Sequence, residues 1–278
     1  MTKVAFQGER GAFSEDAVIK FFGVDVTPVP CLYFGDVFDM VHKGLADFGT
    51  VPVENSQAGS INETYDLLLE YPLTIYGEVD LIVNHFLMAL AGETLSSIKR
   101  IYSHPKALAQ CEKFLSGIDA EIVPTYDTSG SAKMIHDAKL KNCAAIASER
   151  AADIYGLQIL ARNIESTKNN YTKFFIISRE KAKHADENKT TLILKTENKP
   201  GTLYSCLGAF AKRNINLTKL ESRPTKDKPW EYLFYVDFEG HAEDTSCSEA
   251  LEEVKGYTSM LKILGSYPKI DSELSRVV

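Results

Sequence analysis

The chain has 278 residues, enough for one large or two modest domains, with the 44% apolar and 25% charged content of an ordinary globular protein. A net charge of −7 argues against nucleic acid as the main partner, and no apolar run is long enough for a transmembrane helix. The opening "MTKVAFQG" goes straight into a strand pattern, so no signal peptide is expected. The five cysteines are scattered and never form C-x-x-C, which suggests a reducing cytoplasm and offers no metal site.

In chain order, the apolar run Val4–Gln7 predicts a strand and Phe13–Phe22 a helix. Phe34–Lys43 predicts a second helix, ended by Gly44, and Phe48–Val53 a strand. A helical pattern at Tyr65–Leu69 precedes strands at Leu73–Val83 and His85–Ala91. A short strand at Ile101–Ser103 leads into one helix over Pro105–Leu115. Strand Glu121–Pro124 and helix Ser129–Ala138 follow, then strand Ala144–Ala147 and helix Glu149–Tyr155. "NNYTKFFIIS", Asn169–Ser178, reads as a strand buried on both faces, with a hydroxyl and a cation at its mouth. Strand–helix alternation of this kind implies an α/β fold with largely parallel sheets, in two lobes that the chain crosses near Tyr76–Leu81 and recrosses near Ile164–Tyr171.

The charged stretch Ser178–Thr190 divides the chain. Residues 189–278 carry 13 basic and 13 acidic side chains, so the negative charge belongs to the first part. Beyond the divide come strand Thr191–Thr196, helix Gly201–Lys212, strands Ile215–Ser222 and Tyr232–Phe238, helix Glu249–Lys255 and strand Met260–Ser266. That order, βαββαβ, is ferredoxin-like.

Polar residues collect after the strands of the first part, in "GERGAFSE", "ENSQAGSI", "SHPKALAQ" and "TYDTSGSA". Each sets hydroxyls and backbone N–H groups at the start of a helix. Such an end suits an anion, because its first N–H groups lack helical partners and the dipole is positive there. In parallel sheets these ends lie at the carboxyl edge of the strands, where ligands bind. A small organic acid with more than one carboxylate is the expected ligand. The same residues are also ordinary helix caps. Glu54 and Asn55, directly after an apolar strand, are costly to bury without purpose.

"GERGAFSEDA", "FGTVPVENSQAGSI", "YSHPKALAQC", "DTSGSA", "AAIAS" and "NNYTKFF" occur in that order, and together they resemble the prephenate dehydratase family. "NKPGTL" and "LTKLESRP" resemble the phenylalanine-binding segments of an ACT regulatory domain. The resemblance implies a two-lobed catalytic domain like a type II periplasmic binding protein over about residues 1–180. Lobe 1 would hold about 1–78 and 166–180, and lobe 2 about 79–165. A linker over about 181–189 and an ACT domain over about 190–278 would follow. It implies decarboxylative dehydration of prephenate to phenylpyruvate, without cofactor or metal, under control of phenylalanine. Arogenate as substrate, or a non-catalytic organic-acid sensor, are the alternatives.

The family's T-R-F motif maps onto Thr172, Lys173 and Phe174, with lysine in place of the usual arginine. Thr172 is the expected catalytic hydroxyl; Asn55 joins it in the catalytic set as a neutral donor to a carboxylate, and Glu54 or His104 are alternative acids. Ser14, Ser56, Ser103, Gln110, Thr128, Ser129, Lys173 and Phe174 are the expected substrate contacts. Asn198, Gly201, Leu203, Glu221, Ser222 and Arg223 are the expected effector contacts. A homodimer or homotetramer with the effector at its interface is expected, with no nucleic-acid or membrane partner.

Overall fold

The computed structural model describes residues 1–197, 199–225 and 231–270. In chain order it contains β1 (Thr2–Gln7), α1 (Phe13–Phe22), β2 (Val26–Cys31), α2 (Phe34–His42), β3 (Phe48–Asn55), β4 (Gly59–Ser60), α3 (Asn62–Glu70), β5 (Thr74–Ile82) and β6 (Phe86–Ala89). After a short 3-10 turn at Leu95–Ser97 come β7 (Arg100–Ser103), α4 (Pro105–Gln110), α5 (Glu112–Leu115), β8 (Glu121–Pro124), α6 (Thr128–Ala138), β9 (Cys143–Ala147), α7 (Glu149–Tyr155), β10 (Gln158–Ala161) and β11 (Tyr171–Ser178). The chain ends with β12 (Asn188–Thr196), α8 (Thr202–Ala211), β13 (Leu217–Pro224), β14 (Tyr232–Glu239), α9 (Thr245–Lys255) and β15 (Thr258–Pro268).

Three sheets organise these elements. The first has the order β2-β1-β3-β11-β5, with β4 hairpinned onto β3, and β1 runs parallel to both β2 and β3. The second has the order β10-β6-β9-β7-β8, with β7 parallel to β8 and β9. The third is antiparallel with the order β13-β14-β12-β15, the ferredoxin-like arrangement of a βαββαβ unit. The chain leaves the first sheet after Ile82 and rejoins it at Tyr171.

Three strands and one helix break differ from the sequence expectation. β2, β4 and β10 were not foreseen. β4 is a two-residue hairpin strand; β2 and β10 are edge strands, and β2 carries Pro28 and Pro30. Proline lacks a donor and is tolerated at a sheet edge, which agrees with the place of β2 in the sheet. The helix expected over Pro105–Leu115 is two, because Cys111 leaves helical geometry at φ −104° and ψ 11°.

Burial explains the central sheet patterns. In the second sheet, Phe86 and Met88 of β6 and Ala145 and Ala147 of β9 pack with Ala132, Ile135 and Ala151 on one face. Leu87, Ala89, Ala144 and Ile146 pack with Ile101, Leu108 and Cys111 on the other. The period of two therefore buries alternate residues on opposite sides, and the strands read as unbroken apolar runs. In the third sheet, Leu192, Leu194, Val236 and Phe238 meet Cys206, Phe210, Ala250 and Val254 of α8 and α9.

The chain divides into two compact units, one holding residues 1–65 and 79–174, the other 66–78 and residues from Phe175 on. In the second unit the segment Asp66–Glu78 is tied down by charge. Lys189 Nζ lies 2.8 Å from Glu78 Oε2 and 3.1 Å from Asp237 Oδ2, with all three side chains under a tenth exposed. Arg223 holds both oxygens of Asp66, at 2.5 and 3.1 Å. Lys262 Nζ donates to the carbonyls of Leu68, Leu69 and Tyr71 at the end of α3, at 2.8, 2.9 and 3.3 Å. Cationic donors are favoured there because the helix leaves its last carbonyls unpaired. Burial acts to lower the Lys189 pKa, but Asp237 and Glu78 outweigh it and raise it above the ordinary lysine range. A raised pKa contributes stability that is complete below about pH 10.4 and fades as pH climbs through the folded value. Removing the cation leaves two buried carboxylates uncompensated. Lys189→Met is therefore expected to cost about 3–5 kcal/mol in urea unfolding at neutral pH. A loss below about 1 kcal/mol would show that the triad is not a structural anchor.

Candidate active site

The core of the candidate site is a joint between the end of β3 and the start of β11. Asn55 closes β3, and the β3–β4 hairpin turns so that its Oδ1 accepts the backbone N–H groups of Gln57 at 3.1 Å and Ala58 at 2.9 Å. Only an oxygen can accept two N–H groups, so the amide orientation is fixed and Nδ2 must face the other way. It donates to Asn170 Oδ1 at 2.8 Å, to the Tyr171 carbonyl at 3.1 Å and to Thr172 Oγ1 at 2.9 Å. Ser56 completes the joint. Its N–H donates to the Tyr171 carbonyl at 2.9 Å, its Oγ donates to the Asn169 carbonyl at 3.2 Å, and Oγ accepts from Tyr171 N–H at 3.0 Å.

Two consequences follow for hydrogen-bond capacity. Thr172 Oγ1 acts as acceptor toward Asn55, which leaves the hydroxyl hydrogen to donate elsewhere. Asn170 is 1% exposed, its Oδ1 is taken by Asn55, and its Nδ2 has no protein partner. Thr50 Oγ1 and Ser129 Oγ are likewise wholly buried without a protein partner. Buried donors of this kind carry a desolvation cost of about 1–3 kcal/mol each unless a ligand or water accepts from them.

Strand alternation sorts the "TKF" motif. Thr172 and Phe174 are buried on one face, at 8% and 2% exposure, and Lys173 turns to the other. There Lys173 Nζ lies 3.9 Å from Asp80 Oδ1. The position that carries arginine in the family's motif is thus on the face opposite the candidate hydroxyl.

The helix starts are more self-contained than the sequence suggested. Glu15 is 2% exposed and bends back to accept Gly11 N–H at 2.6 Å and Arg10 Nε at 2.8 Å. Asp127 accepts Gly130 N–H at 2.7 Å at the start of α6, and His104 Nδ1 accepts Lys106 N–H at 3.2 Å at the start of α4. Ser148 caps α7 through Ala151 N–H at 3.1 Å and donates to the Gly11 carbonyl at 2.6 Å. Internal acceptors thus take one N–H group each at the starts of α4, α6 and α7, while the start of α1 has no side-chain cap, since Glu15 binds Gly11 N–H ahead of the helix. Gly11 sits so close to α7 that a Cβ on it would lie 2.7 Å from Ala151 Cα, and its φ of 84° also favours glycine. Glu9 pairs with Lys133 at 2.9 Å and Asp16 with Arg150, so the acids of this loop are matched by cations.

The remaining candidates sit on several different elements. Gly8, Glu9, Cys31, Leu32, Tyr126 and Asp127 line a cavity of about 180 Å³ at the carboxyl ends of β1 and β2. Burial raises the Asp127 pKa, opposed by the Gly130 N–H. Burial lowers the His104 pKa, with Lys106 adding and Asp127 opposing. With Nδ1 accepting, the neutral His104 ring presents Nε2–H as a donor. Ser103 Oγ donates to the Ile146 carbonyl at 2.7 Å and is wholly buried, so it joins β7 to β9. Ser14 is buried in α1, Thr128 opens α6 half-buried, and Glu54 is half-buried opposite Ser60 in the hairpin. Gln110 Oε1 meets His85 Nε2 at 2.8 Å. His85, Asp127 and Asn170 were not on the sequence-derived set. Asn170 alone carried a signal, as the residue two before the expected hydroxyl.

In the second unit, Gly201 takes φ 85° as the N-cap of α8, and no side chain caps that end. Leu203 is half-buried in its first turn. Alternation on β13 puts Glu221 and Arg223 on a half-buried face and Ser222 on the exposed one. Glu221 pairs with Lys219 at 3.1 Å, and Arg223 is engaged by Asp66 as described above. Asn198 lies outside the described residues.

Residues 4–182 match the family model described as prephenate dehydratase, and residues 190–256 match the ACT domain model. Among curated proteins, the chain is 42% identical over 277 residues to the chloroplastic arogenate dehydratase/prephenate dehydratase 2 of Arabidopsis thaliana, covering 96% of this chain and 72% of that one. Among solved structures, it is similar to the prephenate dehydratase of Arthrobacter aurescens in complex with L-Phe, with a TM-score of 0.86, 32% identity and coverage of 98% and 92%. It is also similar to a protein described as a novel type of quorum-quenching acylase, GqqA, with a TM-score of 0.88, 36% identity and coverage of 97% and 98%.

Asn55→Ala removes the donor common to Asn170, Tyr171 and Thr172. It is expected to lower unfolding free energy by about 1–3 kcal/mol in a denaturant titration. An unchanged midpoint would mean that the joint is replaced by water at no cost.

Proposed function

Because the chain belongs to the prephenate dehydratase family and carries an ACT domain, we propose that it converts prephenate to phenylpyruvate, carbon dioxide and water under control of phenylalanine. The observation that carries the reading is the Asn55–Thr172 hydrogen bond, which gives the hydroxyl oxygen its donor and leaves the hydroxyl hydrogen for a substrate.

The chemistry asks little of the protein. The C–C bond to the ring carboxylate breaks, its electron pair enters the ring, and the C–O bond to the departing hydroxyl breaks as the ring becomes aromatic. The oxygen leaves as water once a proton reaches it. Thr172 donates a hydrogen bond to that oxygen as negative charge develops on it. A threonine hydroxyl is a weak acid, so position and exclusion of water supply most of the effect. Thr172, 8% exposed near the start of β11 and held by Asn55, is consistent with both conditions.

Neutral donors suit the carboxylates as well. The carboxylate that departs as carbon dioxide loses its charge, and a tight ion pair there would stabilise the ground state more than the transition state. Asn170 Nδ2, Ser129 Oγ and Thr50 Oγ1 are uncharged groups without protein partners.

For the effector, the uncapped N-terminus of α8 behind Gly201 suits an amino-acid carboxylate, and the L-Phe complex of the Arthrobacter aurescens relative supports phenylalanine. β13 is a sheet edge with Leu220 and nearby Tyr204 exposed, beside a groove of about 340 Å³ lined by Leu207, Phe210, Ile215 and Leu217. A second copy of the chain would cover this face in a homodimer or larger homo-oligomer. The five cysteines are all free thiols, which fits a cytoplasmic setting. No described helix is long and apolar enough to cross a membrane.

Two outcomes test the reading. Thr172→Ala is expected to lower kcat for phenylpyruvate formation by at least about tenfold, or about 1.4 kcal/mol, with the circular dichroism spectrum unchanged. A smaller loss removes Thr172 from the reaction. Calorimetric titration of the full chain is expected to show phenylalanine binding that weakens on Gly201→Leu, and no binding to the wild-type chain would refute the regulatory role.

A further inference from the structure

His85 is a histidine with no counterpart in the mechanism above. It is 2% exposed, at the turn into β6, and its ring stands edge-on to Phe13 with centroids 5.5 Å apart. Burial lowers its pKa, only partly offset by Gln110 and Glu165, so the ring is neutral at pH 7. A neutral imidazole has one N–H donor and one acceptor. Nε2 lies 2.8 Å from Gln110 Oε1, and Nδ1 is buried without a protein partner. If Nε2 carries the proton, Gln110 Oε1 is the acceptor and the orphan Nδ1 is an acceptor. If Nδ1 carries it, a buried N–H donor is orphaned, which is the rarer and costlier defect.

The surrounding backbone removes the other freedoms of this pair. His85 N–H donates to Glu165 Oε2 at 2.9 Å, and the His85 carbonyl accepts Ile164 N–H at 3.1 Å. The Gln110 carbonyl accepts Ser166 N–H at 2.7 Å. One short segment, Ile164–Ser166, therefore holds both residues, and it leads directly toward Asn170 and Thr172. With its carbonyl and its side-chain oxygen both engaged, Gln110 has its NH₂ group left to offer, and that residue is half-exposed.

We propose that His85 is a positioning residue: as the Nε2–H tautomer it holds Gln110 Oε1, so that the Gln110 NH₂ group is presented as a neutral donor to a substrate carboxylate. This rests on the dehydratase reading and names one of its carboxylate donors. A donor to a carboxylate that survives the reaction binds ground and transition states alike, so its loss raises KM and spares kcat.

Two measurements on the full chain decide it. Nitrogen-detected NMR of histidine-labelled wild-type protein at pH 7 is expected to show His85 protonated at Nε2 and unprotonated at Nδ1. The reverse tautomer overturns the proposal. In steady-state assays, His85→Leu is expected to raise KM for prephenate by about tenfold or more with kcat within about threefold, whereas His85→Gln, which restores a donor at the same depth, returns KM to within about threefold of wild type. A leucine variant with wild-type KM, or a glutamine variant as impaired as the leucine one, overturns it as well. The tautomer is read without turnover, so its failure is separable from failure of the dehydratase reading, which would show as no phenylpyruvate from the wild-type protein.

Discussion

A single side-chain amide organises the candidate site. Asn55 is locked by two backbone N–H groups on its oxygen side and spends its nitrogen on Asn170, Tyr171 and Thr172. Reversing the amide would set a carbonyl oxygen against three acceptors and an NH₂ against two donors. The hairpin therefore determines the direction of every hydrogen bond at the start of β11, including the free direction of the Thr172 hydroxyl. Without that constraint a threonine hydroxyl would rotate among partners, and its donor capacity would not be aimed.

The second feature is the separation of charge from the reacting groups. Several formal charges near the loops are matched internally: Glu9 with Lys133, Glu15 with Arg10, Asp16 with Arg150, and Lys173 beside Asp80 on the far face of β11, while Asp127 is held by the Gly130 N–H. Thr50 Oγ1, Ser129 Oγ, Asn170 Nδ2 and His85 Nδ1, by contrast, are uncharged buried atoms without protein partners. That division agrees with a reaction in which one anionic group becomes a neutral gas. Fixed dipoles aimed at a leaving oxygen lower its barrier, whereas a salt bridge to the departing carboxylate would have to be broken. Lysine at position 173 fits this division: it lies on the opposite face of the strand, 3.9 Å from Asp80 Oδ1, and there a point charge can replace the planar fork of arginine without touching the candidate hydroxyl.

Much of the fold was legible because its signals are local. α1 runs over the residues predicted for it, and so do β8 and α7, because their apolar periods and caps are contained within the element. β2 and β10 were hidden because they are edges, where pairing on one side suffices and proline or polar residues are tolerated. The candidate hydroxyl could be singled out from "NNYTKFF" and its family resemblance. The reason it is useful could not, since Asn55 lies 117 positions away in the chain. The same holds for His85, whose meaning depends on Gln110 and on Glu165, 80 positions on. Ser, Gly and Pro at the helix starts advertise free N–H groups, but the sequence does not tell that Asp127 takes Gly130 N–H of α6 or that Glu15 turns back to Gly11 N–H ahead of α1.

Asn55→Asp gives the most direct test of whether the direction of one hydrogen bond matters. The substitution is isosteric, but a carboxylate can only accept, so it would draw the Thr172 hydroxyl hydrogen toward itself and away from the substrate. Single-turnover formation of phenylpyruvate by this variant, folded by circular dichroism, is predicted to be slowed to about the level of a chain lacking the hydroxyl, roughly tenfold or more. A rate within about threefold of wild type would show that the orientation of Thr172 by Asn55 is not what the reaction uses.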